Sequence, residues 1–87
     1  MVWAASAVAN REGTALALAV QPADGWRELW LFRKRKNVWS LAIVPPAVAA
    51  PGVGTAEFAG WSPRRVRVAH AALVDGRLTR SLRLMRL

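Results

Sequence analysis

Residues 57–87 constrain the fold more than any other part of the chain, because turn signals divide them into three short apolar segments. The pair Ser62-Pro63 follows the first segment, and the pair Asp75-Gly76 follows the second. Proline fixes its own φ and glycine adopts a positive φ without strain, so both pairs favour tight turns. The pattern predicts three strands, at residues 57–61, 65–73 and 78–87.

The last of these segments has a second interpretation. Arginine recurs there at every third position, at Arg77, Arg80, Arg83 and Arg86. That spacing would also place the arginine side chains along one side of a short helix. The sequence leaves strand and helix open for residues 78–87.

Further apolar segments precede this stretch and are separated by turn signals of the same kind. An Asn-Arg-Glu-Gly sequence occupies residues 10–13, an Asp-Gly pair residues 24–25, and a charged Lys-Arg-Lys-Asn sequence residues 34–37. The segments between the turns predict an antiparallel meander of four strands. These strands comprise residues 2–9, 14–20, 28–33 and 38–44.

Alternation within these segments predicts which side chains share a face. Leucine or valine alternates with alanine in residues 14–20, so this strand is expected to be covered on both sides. Leu29 and Leu31 fall on the opposite side of the next strand from Trp30 and Phe32. Because alanine is a strong helix former, helix remains an alternative for residues 2–20.

Two prolines and an uncharged connector divide the chain. Pro45 and Pro46 have no backbone N–H to donate, so they end the fourth strand. Residues 47–55 contain no charged side chain, a further proline and two glycines, which is typical of a connector. We predict an all-β protein, with a four-stranded unit at residues 1–46, a linker at residues 47–56 and a three-stranded unit at residues 57–87.

The two units resemble each other and a known family. Residues 14–33 and 67–85 each contain an apolar strand, an Asp-Gly turn and a leucine-containing strand, and the two Asp-Gly pairs are 51 residues apart. The sequence Phe-Ala-Gly-Trp-Ser-Pro at residues 58–63, followed by Arg-Val-Arg-Val-Ala at residues 65–69, resembles the inner-strand motif of TolB-like and WD-repeat-type β-propellers. That family usually has Asp-Gly where this chain has Arg64 and Arg65. The resemblance implies one four-stranded and one three-stranded propeller blade, each of which stacks on a neighbour.

Composition argues against several classes of function. The 87 residues contain no cysteine, so neither a disulfide nor a thiolate metal site is available. One histidine, His70, and five acidic residues supply no evident carboxylate pair or metal-ligand cluster. No apolar run reaches the roughly 18 residues that a membrane-spanning helix needs. We therefore predict no catalytic residue, cofactor, metal or membrane span, and the sequence does not identify a compartment.

The net charge of +8 and five tryptophans suggest two kinds of partner. The function we predict is a non-enzymatic scaffold or protein-interaction module, an end piece of a β-propeller protein. It would bind a protein partner or a second copy through open strand edges such as residues 78–87. The alternative is a small nucleic-acid-binding protein in which Trp39 or Trp61 stacks on bases. The candidate interaction residues are Arg33, Lys34, Arg35, Lys36, Arg64, Arg65, Arg80 and Arg83, with Arg67 added for the nucleic-acid alternative.

Overall fold

The computed structural model describes residues 1–46, 53–74 and 76–87. Its strands are β1 (Val2–Ala9), β2 (Ala15–Ala23), β3 (Trp26–Arg35), β4 (Val38–Val44), β5 (Val53–Ser62), β6 (Arg65–Val74) and β7 (Arg77–Arg86). The prediction of an all-β chain is confirmed, and the helical alternatives for residues 2–20 and 78–87 are wrong. Helix propensity is a weak preference that pairing between strands overrides.

The first four strands form an antiparallel meander in chain order, as predicted. The loop between β1 and β2 is fixed by the side chain of Asn10, whose Oδ1 accepts hydrogen bonds from the N–H groups of Thr14 and Ala15 at 2.9 and 3.0 Å. The β3–β4 turn has positive φ at both central residues, 50° at Lys36 and 63° at Asn37. A turn of this kind matches the twist of the strands that it joins.

The last three strands form a second antiparallel meander. Its first turn contains Pro63 and Arg64, and Arg64 has a φ of 60°, in the left-handed region. The register of β5 against β6 shifts between Phe58 and Gly60, which indicates a β-bulge at this point. Of the second predicted turn pair, Asp75 lies outside the described residues.

A short parallel contact joins the two units into one mixed sheet of seven strands. Trp26 of β3 lies opposite Gly54 of β5, and Arg27 lies opposite Thr55. The N–H of Gly54 also donates to the carbonyl of Gly25 at 2.7 Å. As a result β5 begins at Val53, inside the predicted linker, of which residues 47–52 lie outside the described residues.

The core lies between the two units. It contains Ala17, Leu29, Leu31 and Val44 of the first unit and Ala56, Val66 and Val68 of the second. Side chains alternate along a strand, so each unit buries one face, called here its inner face, and presents an outer face on the other side. The prediction that β2 is covered on both sides is confirmed on the inner face, where Ala15 and Ala17 are buried, and in part on the outer face. There Val20 is buried, whereas Leu16 and Leu18 are half-buried.

In the described part of the chain, no helix is long and apolar enough to cross a membrane.

Candidate interaction surfaces

A basic cleft lies where four segments distant in sequence meet at one end of the strands. The segments are the β1–β2 loop, the end of β3, the β5–β6 turn and the end of β7. The cleft has a volume of about 460 Å³. One acidic side chain, Glu12, and five cationic side chains line it, the latter being Arg33, Lys34, Arg35, Arg64 and Arg86.

Hydrogen bonds to the main chain hold the walls of the basic cleft together. Nη2 of Arg35 donates to the carbonyl of Leu87 at 3.2 Å. The N–H of Leu87 donates to the carbonyl of Arg64 at 3.0 Å, and the N–H of Lys34 donates to the carbonyl of Thr14 at 2.8 Å. The bond from Arg35 to Leu87 joins the two units at this end of the molecule, and the other two hold segments within one unit, so cations from both units face one cavity.

Half of the predicted interaction residues line this cleft. Arg33, Lys34 and Arg35 reach it from β3, and Arg64 reaches it from the β5–β6 turn. The other four predicted residues lie outside the lining. Lys36 is exposed at the β3–β4 turn. Arg65, the first residue of β6, lies opposite Arg86 of β7. Arg80 and Arg83 point to opposite sides of β7.

An aromatic face forms the outer face of the first unit. It consists of Leu16 and Leu18 of β2, Trp30 and Phe32 of β3, and Trp39, Leu41 and Ile43 of β4. Register places these side chains in neighbouring rows, with Leu18 opposite Trp30 and Trp30 opposite Ile43. The three β4 side chains are between 44% and 51% exposed. Contiguous apolar surface of this kind marks an interaction site more often than scattered exposed leucines do.

Glu28 places one negative charge beside the aromatic face. Its two carboxylate oxygens accept hydrogen bonds from the indole N–H groups of Trp26 and Trp30, at 3.2 and 3.1 Å respectively. Both indole donors are therefore satisfied by the same carboxylate, which fixes the orientation of the two rings. The face thus combines rigid aromatic side chains with an anionic group.

A leucine–arginine face forms the outer face of the second unit. It consists of Arg67 and Leu73 of β6 and Leu78, Arg80, Leu82 and Leu84 of β7, around the small side chains of Ala69 and Ala71. Leu82 is 67% exposed and Leu78 is 58% exposed. Within the described residues β7 pairs with β6 alone, so its other edge is open, as predicted from the sequence.

The tryptophans divide between exposed and packed positions. Trp39 is exposed, and the Nζ of Lys34, a cleft residue, lies 6.0 Å from the centre of its ring. Trp61 packs against the core, and its ring centre lies 5.2 Å from that of Phe58. Trp39 is therefore available to stack on a ligand, whereas part of the Trp61 ring is already occupied by packing against the core.

His70 is buried on the inner face beside Val66 and Val68, as the alternation in β6 predicts. Neither ring nitrogen has a hydrogen-bond partner. Burial, with a smaller contribution from the nearby positive charge of Arg83, lowers the pKa of His70 below its ordinary value of 6.5. The described residues contain no group of three or more potential metal ligands, so this histidine lacks the convergent partners of a metal site.

Two features of these surfaces were not found from the sequence. Arg86 joins the basic cleft because the β6–β7 register places it opposite Arg65, next to the β5–β6 turn. Arg27 stacks on Trp3, with its guanidinium carbon 3.8 Å from the ring centre, and also pairs with Glu57. Both depend on contacts between distant segments, for which the sequence has no local signal.

Compared with protein-family models, curated proteins and solved structures, the chain matches none of them. The resemblance to propeller blades therefore stays a prediction based on the motif at residues 58–69.

Proposed function

We propose that this chain is a non-enzymatic interaction module that associates with further copies of itself by stacking one sheet face on another. The observation that carries the proposal is the packing inside a single chain. There, the inner face of the first unit packs on the inner face of the second and forms the core. This leaves the aromatic face open on one unit and the leucine–arginine face open on the other.

The continuity of the sheet supports one particular arrangement of a second copy. Because Arg27 lies opposite Thr55 across the parallel contact, the inner side of β3 continues into the outer side of β5. The two inner faces that meet in the core are therefore opposite sides of the same seven-stranded sheet. A second copy that repeats this arrangement places its leucine–arginine face on the aromatic face of the first.

The chemistry of the two faces is complementary. The aromatic face offers Trp30, Phe32 and the Glu28 carboxylate, and the opposing face offers Arg67 and Arg80 between exposed leucines. Arginine binds well to both carboxylates and aromatic rings. The chain already uses this contact internally, where Arg27 stacks on Trp3. Such an interface is heterologous, so copies add in one direction until a ring closes.

The proposal agrees with the predicted likeness to propeller blades, which also stack sheet on sheet. It gives the role of scaffold or interaction module a definite partner, a second copy of the chain.

Single-face variants test the proposal. Leu41→Glu places a charge in the aromatic face, and Leu82→Glu places one in the leucine–arginine face. We expect the unchanged chain to have a solution mass that is a multiple of the monomer mass, measured by light scattering after size exclusion. Copies of one variant can associate only if that variant has both faces intact. Each variant has one face blocked, so we expect each variant alone to be monomeric. An equimolar mixture of the two forms a dimer, because each supplies the face that the other lacks.

Ser40→Glu and Ser81→Glu are matched controls, because these exposed serines adjoin Leu41 and Leu82 but point to the other side of the strand. Both controls should associate like the unchanged chain. A monomeric unchanged chain across a concentration series, or a mixture of face variants that stays monomeric, contradicts the proposal.

A further inference from the structure

The basic cleft points to a ligand that the stacking of sheet faces does not explain. Its five cationic side chains come from β3, from the β5–β6 turn and from the end of β7. Most of the lining lies outside both faces, so an inference drawn from the cleft does not depend on self-association.

The positive charge of the cleft is not neutralised within the chain. Among residues 1–46, 53–74 and 76–87, the one ion pair between side chains joins Arg27 to Glu57, which lies outside the cleft. Glu12 is the one acidic side chain in the lining. Five cationic side chains therefore face one acidic side chain.

The type of cation favours phosphate over a single carboxylate. Four of the five are arginines, whose planar guanidinium groups donate paired hydrogen bonds to phosphate oxygens. Arg33 is half-buried, and its Nε is a buried donor without a hydrogen-bond partner in the protein. A ligand oxygen in the cleft can satisfy a donor of this kind, and a buried donor gains more from such a bond than an exposed one.

The size of the cleft and the arrangement of its cations favour more than one phosphate. A volume of about 460 Å³ is within the range of small-molecule sites, roughly 300–1,000 Å³, and exceeds what one phosphate group needs. Arg33, Arg64 and Arg86 belong to different strands or turns, so they approach a ligand from different sides. We propose that the basic cleft binds a ligand with two or more consecutive phosphates, either a free oligophosphate or a nucleic-acid strand.

Binding of two probes to the 87-residue chain tests the proposal and separates the two sources. The probes are inorganic triphosphate and a short oligothymidine strand, with affinity measured by calorimetry at about 50 mM and about 200 mM salt. For four phosphate contacts on a single strand, we expect roughly a fiftyfold loss of oligothymidine affinity between the two salt concentrations. Binding of triphosphate alone identifies a free oligophosphate ligand, and preferential binding of oligothymidine identifies a nucleic-acid strand. Absence of binding by both probes at the lower salt overturns the proposal.

Paired variants of β7 localise the binding. Arg86→Gln removes a cleft cation, and Arg77→Gln removes an exposed arginine at the other end of the same strand. We expect Arg86→Gln to weaken binding of the bound probe about tenfold, since a hydrogen bond from a charged donor is lost. Arg77→Gln should weaken it less than twofold. Equal losses in the two variants mean that net charge alone attracts the probe, and they overturn the proposal.

The variant Leu41→Glu separates this inference from the proposed function. It should lose self-association and keep the affinity of the cleft, because Leu41 is absent from the lining. If its probe affinity falls as far as that of Arg86→Gln, the binding site is not the basic cleft of a single chain, and the proposal fails.

Discussion

The guanidinium of Arg27 pairs with the carboxylate of Glu57, which joins the start of β3 to β5 beside the parallel contact between the two units. The same guanidinium stacks on the ring of Trp3 in β1, at 3.8 Å from the ring centre. One side chain therefore contacts strands from both units. The parallel contact itself comprises few residue pairs, so this side chain contributes to how the units are held together.

Replacing Arg27 should lower stability more than replacing its ionic partner. We expect Arg27→Ala to lower the free energy of unfolding by about 1–2 kcal/mol, because both the stacking on Trp3 and the ion pair are lost. Glu57→Gln should cost less than about 1 kcal/mol, since Glu57 is half exposed and water screens the pair. Urea denaturation measures both values. An equal or larger effect of Glu57→Gln would show that the stacking contributes little.

Stability should depend on pH through His70. Burial lowers the pKa of this histidine below 6.5, so the folded chain binds the proton more weakly than the unfolded chain does. The stabilising contribution is complete above about pH 6.5, the unfolded value, and is lost as the pH falls from there through the folded pKa. We expect the Tm at about pH 5.5 to be lower than at about pH 7, a range in which few other groups titrate.

The variant His70→Leu is the control for this prediction. It removes the titrating group and keeps a side chain of similar size among Val66 and Val68. The difference in Tm between the two pH values should become smaller in this variant. If the variant retains the full difference, another group causes it and His70 does not.

The local features of the fold could be predicted from the sequence because short-range chemistry determines them. The alternation in residues 28–33 places Leu29 and Leu31 on one face and Trp30 and Phe32 on the other, and the structure has the same division. Turn residues such as Asn37 and Gly25 likewise mark where strands end. In each case neighbouring residues contain the information.

The parallel pairing of β3 with β5 could not be predicted in this way. Parallel strands need a long connection, and no turn residue records which strands will meet across it. Gly54 reads as a connector residue, because an uncharged stretch containing proline and glycine surrounds it. In the structure it lies opposite Trp26, and its N–H donates to Gly25.

The candidate site was predictable in its parts and not as a whole. The run from Arg33 to Lys36 is visible as a charge cluster, and Arg64 is visible as a turn residue. Their convergence on one cleft depends on the packing of one unit on the other. Arg86 is one of several evenly spaced arginines, and only the β6–β7 register selects it for the cleft.

Core and outer-face leucines should differ sharply in their effect on stability. Leu29 is 1% exposed in the core between the units, whereas Leu41 is 44% exposed on the aromatic face. We expect Leu29→Ala to lower the free energy of unfolding by about 2–5 kcal/mol, through lost burial and the cavity that remains. Leu41→Ala should cost less than about 1 kcal/mol, measured at a concentration where the chain is monomeric. Similar costs at the two positions would mean that the aromatic face is covered in the monomer.

Glycine at position 64 should make the chain more stable. The φ of Arg64 is 60°, in the left-handed region that side chains with a Cβ atom disfavour by about 1–2 kcal/mol. Glycine adopts this conformation without that cost, although its unfolded chain has more freedom to lose. We expect Arg64→Gly to raise the free energy of unfolding by about 0.5–1 kcal/mol in urea denaturation. The main-chain carbonyl that accepts from Leu87 is kept in this variant.

Arg65→Gly is the matched control, because Arg65 begins β6, where glycine should lower stability by about 0.5–1 kcal/mol. A loss of stability in both variants would show that the β5–β6 turn does not store backbone strain at Arg64.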